Sequence, residues 1–104
     1  MKRQVFYYHN TKEIKDLPQA AKFFFNKYAK ASDAVDFTVL YRVKIKGVCD
    51  ELHFALRNEK ALADLANIFD KSRIKYIRKE YAIIADVNEF KNENLITIAK
   101  LKGF

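Results

Sequence analysis

Tryptophan is absent from this chain, and glycine, proline and cysteine nearly so: two Gly, one Pro and one Cys in 104 residues. So little Gly and Pro leaves few tight turns and implies long elements. No glycine-rich phosphate loop can be built from it. The single Cys49 excludes an intrachain disulfide and fits a reducing cytoplasm. No stretch approaches the roughly 18 continuous apolar residues of a membrane span. Residues 1–8 are basic but have no long apolar run behind them, unlike a signal peptide. The expectation is a cytoplasmic protein with no membrane partner. His9 and His53 stand in no His-x-His or Cys-x-x-Cys pattern, so neither a metal nor another cofactor is expected. Cys49 and His53 show no third group to orient a nucleophile and base, and Cys49 reads as a small apolar residue. Asp33, Asp36, Asp50 and Glu51 cluster near strand ends, where acids solvate turns and cap helices. No spacing suits acid–base or nucleophilic work, so no enzyme is expected.

What is present is apolar and basic. Half of the residues are hydrophobic and 14% aromatic, with nine Phe and six Tyr. That composition excludes a disordered chain and, at this length, points to one domain over 1–104. Lys and Arg number 20 against 13 Asp and Glu, for a net charge of +7. Such a surplus favours nucleic acid or an acidic protein as partner.

Hydrophobic periodicity orders the chain. Residues 5–8 read as a short strand. Asp16, Pro18 and Gln19 read as the start of a helix to about residue 31, with Ala21, Phe24, Phe25 and Tyr28 on its inner face. Phe23 is left for a flanking surface or a partner. Over 37–45, Phe37, Val39, Tyr41, Val43 and Ile45 alternate with Thr38, Leu40, Arg42 and Lys44, which predicts a strand with an apolar inner face and a basic outer one. Gly47 begins a turn, and Leu52, Phe54 and Leu56 form the inner face of a hairpin partner. Asn58 caps a helix to about residue 71 with Leu62, Leu65, Ile68 and Phe69 inward. Residues 74–87 are strand-like but change parity around 78–80, which demands a hairpin or bulge. Asp86 and Glu89 have capping-box spacing for a last helix that ends at Gly103. A strand over 95–99 is its rival.

This order predicts an α+β domain, an antiparallel sheet with helices on one face. The ferredoxin-like order (βαββαβ) plus a C-terminal helix is the simplest match. Read without its first strand, the order becomes αββαββα, which is similar to one half of a LAGLIDADG homing endonuclease, whose sheet saddles DNA. That resemblance lies in element order over most of the chain. Asp33 and Asp36 stand near where the family's motif helix ends in an acid, but no glycine follows, so cleavage is not implied. Residues 5–10 are loosely similar to the shorter signature of RNA-recognition motifs. Residues 51–56 lack the glycines and paired aromatics of the longer one.

With these faces, Arg42, Lys44, Lys46, Arg57, Lys75 and Lys79 gather on the outer side of the sheet. Phe6 and Tyr8 join them if Val5 and Tyr7 point inward. Rings flanked by cations hold single strands by stacking bases and pairing phosphates. The function expected is therefore a non-catalytic, nucleic-acid-binding domain with a cationic sheet face. The alternative is an inhibitor, immunity or adaptor protein that binds another protein through its surface, for instance through the basic last helix or the Phe23 face.

Overall fold

The structure is a computed structural model that describes residues 3–8, 16–29, 38–47 and 49–104. In chain order the elements are β1 (Arg3–Tyr8), α1 (Gln19–Ala29), β2 (Thr38–Ile45), β3 (Cys49–Leu56), α2 (Glu59–Lys71), β4 (Ile77–Arg78), β5 (Ala82–Asp86) and α3 (Asn94–Leu101). A 3-10 turn at Val87–Phe90 lies between β5 and α3. The architecture is α+β, a five-stranded antiparallel sheet with three helices.

Local chemistry accounts for most boundaries. Asn58 accepts the Ala61 N–H at 3.1 Å and starts α2 as expected of a cap. The Pro18 carbonyl accepts the Lys22 N–H at 3.1 Å and opens α1. The Asp16 carboxylate, expected as the α1 cap, goes instead to Arg42. Asp86 does cap, but what it caps is the 3-10 turn, through the Asn88 N–H at 2.8 Å, and α3 begins only at Asn94. The parity change near 78–80 is a hairpin, with the Lys79 N–H on the Ala82 carbonyl at 2.7 Å.

Two helices end alike. At α3 the Phe104 N–H reaches the Ala99 carbonyl and the Gly103 N–H that of Lys100, with Gly103 at φ 90°. At α2 the Ile74 N–H reaches Phe69 and the Arg73 N–H reaches Asp70, with Arg73 at φ 59°. Both are Schellman motifs, whose left-handed position glycine fills without strain.

The strand order is β1-β2-β3-β5-β4. This is not the ferredoxin-like order. The strands that flank a helix in that fold are parallel with another strand between them, whereas β1 and β2 here pair directly and antiparallel across α1. From α1 onward the chain reads helix, hairpin, helix, hairpin, helix, apart from the 3-10 turn.

Register decides the faces. Ile45 pairs with Cys49, so Leu40 faces Phe54 and Arg42 faces Leu52. Leu40, Leu52, Phe54, Leu56, Ile83 and Ala85 therefore share one side and pack on the helices with Phe24, Phe25, Leu65, Phe69 and Phe90. Phe54 meets Phe69 edge-on at 5.5 Å, and Phe69 meets Phe24 at 5.1 Å. The face predicted to be inward in β2 is thus the far one. Val39, Tyr41, Val43 and Ile45 point away from the helices, and Arg42 and Lys44 point toward them; Phe37 lies outside the described residues. The large side chains of β3 outweigh the small ones of its other face (Cys49, Ala55) and carry β2 with them. Val39 and Val43 are nevertheless buried.

Arg73 holds a left-handed backbone that costs a non-glycine residue roughly 1–2 kcal/mol. Arg73→Gly is expected to stabilise the fold by about 0.5–1 kcal/mol once glycine's larger chain entropy is subtracted. Thermal melts should show the midpoint rising by about 2–8 °C; a lower midpoint would overturn this account of the α2 end.

Candidate functional site

The cations expected to share an outer sheet face do not. Arg42 is 6% exposed. Its Nε and Nη2 donate to Asp50 Oδ1 and Oδ2 at 2.8 and 2.6 Å, a bidentate pair, and its Nη1 donates to Asp16 Oδ2 at 2.9 Å. The Asp50 hydrogen bonds hold the Arg42 guanidinium above its ordinary pKa despite burial, which acts the other way. For Asp16, burial pushes upward but the charge and hydrogen bond of Arg42, with help from Lys44, bring the carboxyl below its ordinary value. Lys44 sits 3.7 Å from Asp16, half-exposed on the helix side. Lys46 is exposed in the turn beyond β2. Arg57 and Lys79 are exposed at the opposite end of the strands, after β3 and between β4 and β5. Lys75 is exposed before β4, with its N–H on Glu89 Oε1 at 2.8 Å. Phe6 is 40% exposed opposite Arg42 on edge strand β1. The side chain of Tyr8 lies outside the described ones.

No Lys or Arg stands on the far face of β2 to β5. That face carries Glu51, His53 and Asp86 among apolar residues. His53 is 7% exposed, stacks on Tyr41 at 4.5 Å, and has Nε2 3.3 Å from Glu51 Oε1. Cys49 lies four positions along the same strand, about 13 Å away at strand rise. They cannot serve as nucleophile and base. Among the described residues no group of His, Cys, Asp or Glu is placed to hold a metal ion, and no helix is long and apolar enough to cross a membrane. Asp33 and Asp36 lie outside those residues.

Exposed positive charge gathers elsewhere, where three helices end. Lys27 of α1, Lys71 of α2 and Lys102 beyond α3 line one cleft of about 350 Å³ with Asp64, Asn67 and Phe104. A second cleft of about 480 Å³, lined by Phe23, Asn26 and Lys100, shares Lys27 and Phe104 with it. The two adjoin at that shared pair and together make a surface groove with four lysines and one acidic side chain. Its aromatic wall follows from the α3 end: the Schellman turn at Gly103 swings Phe104 back onto Phe23 and Phe24, at 5.9 and 5.5 Å. Lys27 Nζ donates to the main-chain oxygen of Phe104 at 2.8 Å and lies over its ring, while Lys100 lies over Phe23. Lys71, Lys100 and Lys102 make no ion pair among the described residues. None of the groove lysines belongs to the set predicted to bind nucleic acid, although the last helix and Phe23, expected to dock a protein, supply Lys100, Lys102 and one wall. The available signal was a Lys in the last turn of each helix, which complements the helix dipole and does not reveal that the three ends converge. No family model, curated protein or solved structure matches the chain.

Arg42 is therefore expected to act on stability. Arg42→Met should cost about 1–3 kcal/mol, because it removes the Asp50 pair and leaves Asp16 with Lys44 alone; both carboxylates reach solvent, which discounts the loss of a fully buried pair. The Asp16 contribution is present above its ordinary value of 3.8 and fades as pH falls through the lowered folded value. Urea melts between pH 6 and 2.5 should show this acid limb in the wild type and a shallower one in Asp16→Asn. Equal limbs would refute the pairing.

Proposed function

We propose that this protein is a non-catalytic module that binds a nucleic-acid strand in the lysine groove formed by the ends of α1, α2 and α3. One observation carries the reading: Lys27, Lys71, Lys100 and Lys102 line adjoining clefts whose one acidic side chain is Asp64. Ammonium groups held together repel one another, and a phosphate chain relieves that repulsion while releasing its own counterions. The rings of Phe23 and Phe104 exclude water beside the ammoniums, which strengthens their pull on phosphate. The net charge of +7 adds long-range steering toward the same class of ligand.

The sheet does not serve as a DNA saddle here, although the element order from α1 onward is similar to that of half a homing endonuclease. Its far face carries Glu51 and Asp86 and, from β2 to β5, no Lys or Arg, so a phosphate backbone laid on it meets like charge. Nor does Phe6 offer a stacking platform with Arg42, whose guanidinium is buried and committed to carboxylates. Lys46, Arg57, Lys75 and Lys79 add to the general field from separate places.

Labelled single-stranded oligonucleotides should bind at low salt. Three or four phosphate contacts give a slope of about −2 to −3 in log K against log salt. The double variant Lys71→Glu, Lys102→Glu should abolish binding while the protein stays folded, its midpoint lowered only by the several degrees that acids at two helix C-termini cost. Lys46→Glu with Lys79→Glu should weaken it little. No binding at low salt, or loss only in the Lys46 and Lys79 pair, would end this reading.

A further inference from the structure

We infer that the cleft beside the β4 edge docks an extended peptide segment of a partner protein, one that carries an aliphatic side chain and, two residues away, a Lys or Arg. β4 pairs with β5 only at Ile77 and Arg78, whereas β5 runs on to Asp86. Just before β4 the chain is drawn off the sheet, the Lys75 N–H to Glu89 and the Tyr76 hydroxyl to Asp70 Oδ1 at 2.9 Å. The separation opens a cleft of about 310 Å³ on the far face.

Its walls are apolar, with Tyr76, Ile77 and Ile84. Ile77 is 58% exposed, among the most exposed large apolar side chains described. Exposed apolar surface of this kind, rimmed by polar groups, marks interaction sites. The rim holds the carboxylates of Glu51, Asp86 and Glu89 against a single cation, Lys75. On a chain of net charge +7 this is a local reversal of sign. It repels nucleic acid and attracts a cationic partner.

The edge supplies the remaining contacts. Lys79 is hydrogen-bonded to Ala82 across the hairpin. Bonded pairs alternate along an antiparallel ladder, so Ile77 bonds to Ile84 and the main-chain N–H and C=O of Arg78 turn outward. The Arg78 side chain is held by Glu59 on the helix side and leaves the far face clear. An extended peptide that enters the cleft past this edge, over the far face, sets residues i and i+2 on one side. The aliphatic one meets Ile77 and Ile84, and the basic one meets the carboxylates. A second copy of this chain is less complementary, since a two-fold axis through the cleft sets acids against acids.

Fluorescence anisotropy with a labelled heptapeptide that alternates Thr with Val and Lys tests the inference, with Glu replacing Lys in the control peptide. The Lys peptide should bind at least about tenfold more tightly than the Glu peptide. Ile77→Ser should weaken it by about tenfold, the scale of an apolar anchor at an interface. Asp86→Asn, which keeps an oxygen to cap Asn88, should weaken it less and flatten its salt dependence. The groove variant Lys71→Glu, Lys102→Glu should leave it unchanged, so that peptide docking and nucleic-acid binding fail independently. Equal affinity for the two peptides, no binding at about 1 mM, or full affinity in Ile77→Ser would overturn the inference. So would a dimer that Ile77→Ser converts to monomer.

Discussion

The pairing of Ile45 with Cys49 is the constraint on which the rest of the molecule depends. Three residues connect the strands, so even positions of β2 meet even positions of β3. A two-residue connection would have paired even with odd and turned every side chain of one strand over. With this register Leu52, Phe54 and Leu56 bring Leu40, Arg42 and Lys44 to the helix side. A guanidinium buried there without partners would destabilise the fold by several kcal/mol. Asp50 lies diagonally across the hairpin and Asp16 at the entrance to α1, and together they satisfy it. The same ion cluster ties the chain just before α1 to the central hairpin. What a sequence pattern presents as a basic surface row is thereby a structural pin.

Around that hairpin the core is aromatic. Phe54 touches Phe69 of α2 and Phe90 of the 3-10 turn, and Phe24 of α1 touches Phe69, Phe90 and Phe104. Rings joined edge to face or tilted allow five segments of the chain to share one cluster with little backbone adjustment. Because α1, α2 and α3 all lean on these rings, their last turns converge. The lysines that complement three helix dipoles are then brought into one groove. Gly103 completes it, since only a left-handed residue there lets Phe104 return to Phe23 and Phe24. Local chain chemistry and the core thus determine where charge collects.

Much of this was legible in the sequence. The strand over 38–45, the Asn58 cap with Leu62, Leu65, Ile68 and Phe69 inward, the turn at Gly47 and the hairpin near 79–80 each follow from period or from a residue with one strong local preference. The faces of β2 were not legible, because its odd positions are the more apolar and only pairing with β3 reverses them. Asp16 and Asp86 show a related limit. Each sits where a helix cap is plausible, and tertiary context sends the first to Arg42 and spends the second on a 3-10 turn. The lysine groove was hidden for a different reason. Lys27, Lys71, Lys100 and Lys102 span most of the chain, and no periodicity links residues that meet only because three helices end together.

Among the described residues, charges are sorted by face rather than by domain. Acids on the far side of the sheet stand opposite no local excess of lysine, and lysines at the helix ends face one acid, Asp64. Mixed surface charge suffices for solubility and needs no such sorting. Sorting has a cost, since lysines crowded in one groove repel each other and Ile77 beside Glu51 and Asp86 faces water unpaired. Neither feature helps the isolated chain fold. Both are understandable if the two sides meet ligands of opposite character, an anionic strand at the helix ends and a cationic peptide at the sheet edge. The Arg42 cluster lies between them and is the element that must stay fixed for either side to keep its shape.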